Sequence, residues 1–132
     1  MPSMAASTAC EIPLVDEALG DELFAPQEDP DLTRMQREVW REVRKGIEPD
    51  LMGAARGEPE NLKAHLHRIR GYCSSCALRR LEKVLLAWES QPCAADAAER
   101  YAQMALEATS LSIVAIESRY PHLKPGPANT SQ

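Results

Sequence analysis

The chain has 132 residues, 44% of them hydrophobic, and a formal net charge of -5 from 15 basic and 20 acidic residues. That length allows one domain with a buried core and is short for two, and no run approaches the ~18 apolar residues of a membrane span. The acidic balance weighs against nucleic acid as the main partner, because phosphate backbones are usually met by basic domains.

Cys10, Cys73, Cys76 and Cys93 are even in number, but nothing else points to an oxidising compartment, so disulfides are not assumed. The amino terminus lacks the basic-then-apolar order of a secretory signal. The expectation is a cytoplasmic monomer with no membrane contact.

In chain order, residues 1–11 are small and polar and are expected as a flexible tail. Leu14, Val15, Ala18, Leu19 and Leu23 recur at three- and four-residue steps, giving a short capping helix weakened by Gly20. Residues 25–30, with two prolines and two acids, read as a connector. Asp31 is the expected N-cap of a long helix striped by Leu32, Met35, Val39, Val43 and Ile47 and widened by Trp40. Gly46 and Pro49 interrupt that stripe before Leu51, Met52, Ala54 and Ala55 resume it, so a kink or a tight joint is expected.

Gly57 and Pro59 separate this helix from the next, whose stripe is Leu62, Leu66, Ile69, Cys73 and Cys76. It is expected to end at Ser74 or Ser75, with one of them capping its successor. Leu78, Leu81, Leu85 and Trp88 stripe that successor, which Ser90-Gln91-Pro92 ends. Tyr101, Met104, Ala105, Ala108, Leu111, Ser112, Ala115 and Ile116 mark a last helix up to Pro121, and residues 121–132 read as a flexible tail. No stretch sustains strand-like alternation. The fold expected over 12–120 is therefore all-α: an up-down-up-down antiparallel four-helix bundle with a short N-terminal capping helix.

At 100° per residue, His67 points about 140° from its helix's apolar stripe and Gly71 about 180°, so both should face water. Lys63, Arg70 and Ser74 lie three, four or seven positions from His67 and share its face. Positions 63–83 carry Lys63, Arg68, Arg70, Arg79, Arg80 and Lys83 against Glu82 alone, a basic surface suited to an acidic partner. The acid-rich stretch from Glu11 to Asp31 could fold over it.

His67, Ile69, Arg70 and Gly71, with Leu81 and Trp88-Glu89 downstream, resemble the core pattern of the histidine-containing phosphotransfer domain, which relays phosphoryl groups between receiver domains in multistep two-component signalling. Glu48-Pro49-Asp50-Leu51 is similar to that family's break in its long helix, and the likeness runs in register over 12–120. Arg70 stands where the family usually has lysine, Tyr72 where a small residue is commoner, and Cys76-Ala77 where Leu-Gly is usual.

The resemblance implies His67 as phosphoacceptor, Arg70 with Lys63 and Ser74 supporting the phosphoryl oxygens, and Gly71 leaving room for the partner's loops. It also implies docking through Arg68, Arg79 and Arg80. The partners would be response-regulator receiver domains and a hybrid histidine kinase, with Mg on the receiver and no cofactor or metal on this chain. No glycine-rich phosphate loop or kinase signature is present, so autokinase activity is not expected. His65 reads as a boundary histidine. One alternative is an inactive bundle that binds receivers or kinases without accepting phosphate. The other is a metal or redox site built from Cys73, Cys76, His65 and His67, which a continuous helix would spread over opposite faces.

Overall fold

The computed structural model describes residues 5–56, 59–90 and 95–124. Within them the chain forms six helices packed together, with no strand: α1 (Ala6–Glu11), α2 (Glu17–Phe24), α3 (Pro30–Arg56), α4 (Pro59–Cys76), α5 (Arg79–Ser90) and α6 (Ala95–Arg119), then a 3-10 turn at Pro121–Leu123. The all-helical expectation holds. The outer parts of both expected tails, together with Gly57, Gln91, Pro92 and Cys93, lie outside the described residues. Residues 6–11 are helical rather than a tail, with Ala9 buried, and Leu123 is buried beyond Pro121.

The predicted stripes of α4 and α5 form the core. Leu62, Leu66, Ile69, Cys73 and Cys76 are buried on α4, and Leu78, Leu81, Leu85 and Trp88 on α5 and the turn before it. Each such aliphatic side chain stabilises the fold by roughly 1.5–3 kcal/mol relative to an exposed one. On α6, Tyr101, Met104, Ala105, Ala108, Ser112 and Ile116 are buried and Tyr101 stacks on Trp88, whereas Leu111 is 43% exposed. α3 packs against both α4 and α6, and α5 against the same two.

α3 runs through Pro49 without a break, so the expected joint is absent. Its start is capped by Asp29, whose carboxylate accepts from the Asp31 amide at 2.9 Å. Asp31 sits inside the first turn and pairs with Arg34 instead. The predicted α3 stripe is half buried: Trp40, Val43, Ile47, Leu51 and Ala54 are covered, while Leu32, Met35 and Val39 are 43%, 53% and 40% exposed.

Register explains this. A Cβ on Gly46 would meet the Tyr72 hydroxyl at 2.7 Å, Asp50 pairs with Arg68 at 3.4 Å, and a Cβ on Gly53 would meet the His65 ring at 3.3 Å. The partner position on α4 falls as the position on α3 rises, so these helices are antiparallel. Extended by the same steps, the last residue of α4, Cys76, lies beside about position 42 of α3. The first turns of α3 thus run beyond the end of α4, which cannot cover Leu32, Met35 or Val39.

Neither serine ends α4. The helix continues to Cys76 and closes with Ala77 at φ 61, the one non-glycine positive φ among the described residues. The Leu78 amide donates back to the Cys73 carbonyl at 3.1 Å, the signature of a Schellman ending. Ser75 does not cap α5, since its hydroxyl returns to the Gly71 carbonyl at 3.0 Å. The first amides of α5 are met by the N-terminal segment: Arg79 donates to the Leu14 carbonyl at 3.0 Å, and the Asp16 amide donates to the Ala77 carbonyl at 2.9 Å.

α2 is held by its Asp16 cap, which accepts from the Leu19 amide at 3.1 Å, and by a latch to the end of α6. Tyr120 donates to Asp21 at 2.6 Å and Arg119 at 3.0 Å, while Gly20 makes room for the Tyr120 hydroxyl. Phe24 fills the space beneath, edge-on to Trp40.

A left-handed backbone costs an L-residue roughly 1–2 kcal/mol, about what glycine loses through unfolded-state entropy and one buried methyl. Ala77→Gly is therefore expected to change stability by under ~1 kcal/mol, against a loss of about 1.5–2 kcal/mol for Ala105→Gly inside a helix. Urea denaturation reads this directly, and an equal loss at both positions would mean the turn is unstrained. At Asp21, hydrogen bonds from Arg119 and then Tyr120 hold the carboxyl below its ordinary value of 3.8. Its stabilisation is therefore full above that pH and is lost as pH falls through the depressed value. The Tm difference between wild type and Asp21→Asn should be largest near neutral pH and shrink below pH 3.8. A constant difference would assign the loss to packing alone.

Candidate functional site

The outer face of α4 carries Lys63, His67, Gly71 and Ser74, all exposed, with Arg70 half-buried at its edge. One helix therefore puts them on one side, because its opposite stripe is buried in the core. His65 does not join them. Its ring lies against Gly53, and its Nδ1 is buried without a hydrogen-bond partner.

The two arginines flanking His67 are drawn to opposite neighbours. Arg68 reaches α3, where Asp50 accepts at 3.4 Å, and Arg70 reaches α5, where Glu89 accepts from Nη1 at 2.8 Å. The expected basic surface is correspondingly weaker than the sequence suggests. Arg70, expected to steady phosphoryl oxygens, is half committed: Glu89 holds one nitrogen, and its Nε is buried without a partner. Both members of that pair are about a quarter to a third exposed, so the bond is worth under ~1 kcal/mol and can be exchanged.

Two other expectations change. Arg80, expected on the docking surface, donates to the carbonyls of Ile12 at 2.8 Å and Cys10 at 3.1 Å, binding the N-terminal segment to α5; Arg79 stays exposed. Of the acids expected to fold over the basic face, Glu17 and Asp21 turn to Arg119.

Tyr72 does not crowd His67. It leans away onto α3, over Gly46, where burial and then a hydrogen bond to Asp50 push its hydroxyl upward in pKa. Cys73 and Cys76 are buried, and burial raises both thiols, Cys76 to about 12. Neither is a thiolate near neutral pH, which removes the basis for an easy redox exchange. Among the described residues no three His, Cys, Asp or Glu side chains gather as a metal-holding group.

The described glycines separate sharply. A side chain at Gly20, Gly46 or Gly53 would meet Tyr120, Tyr72 or His65, whereas a Cβ at Gly71 would have nothing within 4 Å. Gly71 therefore carries the helix cost of glycine, about 0.5–1 kcal/mol, with no packing inside the molecule to require it.

Sequence reasoning missed the surface next to it. Leu32, Met35 and Val39 of α3, with Leu23 and Phe24 of α2, line a groove of about 300 Å³ that reaches Ser75 on α4, one turn beyond Gly71. Periodicity identified that stripe correctly but held no signal that α4 stops short of it. Nor did it show that Asp50 and Glu89 claim the flanking arginines.

No protein-family model matches the chain, and searches of curated proteins and of solved structures likewise return no match.

Gly71→Ala is expected to stabilise the protein by about 0.5–1 kcal/mol in urea unfolding, since the added methyl meets only solvent and improves helix propensity. A loss of stability would show that the position is needed for folding and would end its use as a site marker.

Proposed function

We propose that this chain is a histidine phosphotransfer protein that relays phosphoryl groups between receiver domains through His67. The observation that carries the reading is Gly71: a glycine in mid-helix, four residues after an exposed histidine, whose missing side chain serves nothing within the molecule. A partner pressed against this face would use that space. On this reading α3, α4, α5 and α6 are the antiparallel up-down-up-down bundle and α2 is its cap. The chain of contacts from α3 to α4 to α5 to α6 and back to α3 supports that arrangement.

The chemistry asks little of this chain. An unprotonated imidazole nitrogen attacks phosphorus of the partner's aspartyl phosphate; the N–P bond forms as the P–O bond to the carboxylate breaks, and the carboxylate leaves with the electron pair. The other ring nitrogen keeps its proton. The next receiver's aspartate reverses the step. Lys63 and Ser74 stand on the same face to meet phosphoryl oxygens, and Arg70 can join by exchanging Glu89 for phosphate, a more highly charged acceptor. The apolar groove beside Ser75 gives the receiver a docking surface continuous with the acceptor face. A cytoplasmic monomer without autokinase activity fits this role.

The second reading, a bundle that binds receivers without accepting phosphate, is favoured only by the engagement of Arg70 with Glu89. Transfer from phosphorylated receiver domains separates the two. Wild type and His65→Gln should gain acid-labile phosphate and His67→Gln none. Receiver binding without label on wild type would establish the non-transferring bundle instead.

A further inference from the structure

A cleft of about 860 Å³ lies between α3 and α6, closed at one end by the segment after α6; no α4 residue lines it. Its walls carry Arg37, Arg41, Arg44, Lys45 and Lys124 against one lining acid, Glu48. In a chain of net charge -5 this is a concentrated reversal of sign. Trp40 and Leu123 are buried at its base and Ile113 is half-buried.

We propose that this cleft is a docking groove for an acidic amphipathic helix of a partner protein, separate from the His67 face. The spacing of the cations carries the argument. Arg37, Arg41, Arg44 and Lys45 recur at each turn of α3, at steps of about 4.5–6 Å, and with Glu48 span about 16 Å. Glutamates three and four apart on a facing helix recur at the same 5–6 Å interval. Duplex nucleic acid carries a charge every ~1.7 Å along its axis, about twice as dense as this row, and would be repelled by the chain as a whole. The apolar base between two helices is the kind of groove into which an amphipathic helix lays its hydrophobic face.

Part of the row is already oriented. Arg44 pairs with Glu117 at 3.3 Å, and that carboxylate also accepts from the Trp40 indole at 2.9 Å. Arg37 donates from Nε to the His122 carbonyl at 2.7 Å. Arg41, Lys45 and Lys124 have no ion pair among the described residues and are exposed, so they supply the readily exchanged charge.

The test uses the full chain and a fluorescein-labelled peptide of about 15 residues, leucines on one helical face and glutamates flanking them, read by fluorescence anisotropy at low salt. We expect binding to weaken about tenfold or more for the double variant Arg41→Glu with Lys45→Glu, its fold checked by circular dichroism, and equally for a scrambled peptide of the same composition. Undiminished binding in either case overturns the proposal, as does displacement of the peptide by an oligo-dT of equal charge at equal concentration. His67→Gln should bind the peptide as wild type does, so the groove and the relay stand or fall separately.

Discussion

The turn at Ala77 is where the architecture is tied. Its carbonyl accepts from Asp16 at the head of α2, the Leu14 carbonyl accepts from Arg79 at the head of α5, and Leu78 closes α4 by donating to Cys73. Arg80 adds two bonds to the carbonyls of the N-terminal segment. Three elements thus satisfy one another's end groups, which helices would otherwise leave to solvent. The left-handed backbone at an alanine is the local cost of that exchange. The latch from Asp21 to Arg119 and Tyr120 then fixes the middle of α2 against the end of α6.

The candidate acceptor lies between two ion pairs that pull in opposite directions, Arg68 to α3 and Arg70 to α5. These bonds fasten the edges of α4 while leaving its crest, His67 and Gly71, to solvent. The electrostatic character of the face is consequently milder than a count of cations implies. Beside it the apolar groove of Leu32, Met35 and Val39 reaches α4 at Ser75. A row of cations lies instead along α3, lining the cleft between α3 and α6.

What the sequence made legible was mostly local. Stripes at helical spacing located the buried faces of α4, α5 and much of α6, because a residue's side of a helix follows from its number alone. His67, Gly71, Lys63 and Ser74 were exposed for the same reason. What stayed hidden depended on pairing across long sequence distances. Glu89 captures Arg70 from nineteen residues away, Ile12 and Cys10 capture Arg80 from the far end of the chain, and nothing local signalled either. Leu32, Met35 and Val39 show the limit of periodicity: it identifies a common face but not whether a neighbour is long enough to cover it. The capping of α3 by Asp29 rather than Asp31 reflects the proline between them, which suits the first helical position.

The two rings of α4 seated on the glycines of α3 have a mechanical consequence. His65 and Tyr72 are seven residues apart, as are Gly53 and Gly46, so both rings find their seats in one alignment. Sliding α4 by three residues would set His65 and Tyr72 against Arg56 and Pro49, or against Asp50 and Val43 in the other direction, and part Arg68 from Asp50 at the same time. The interface therefore behaves as a detent rather than a slide, and it sets the height of His67 along the helix pair.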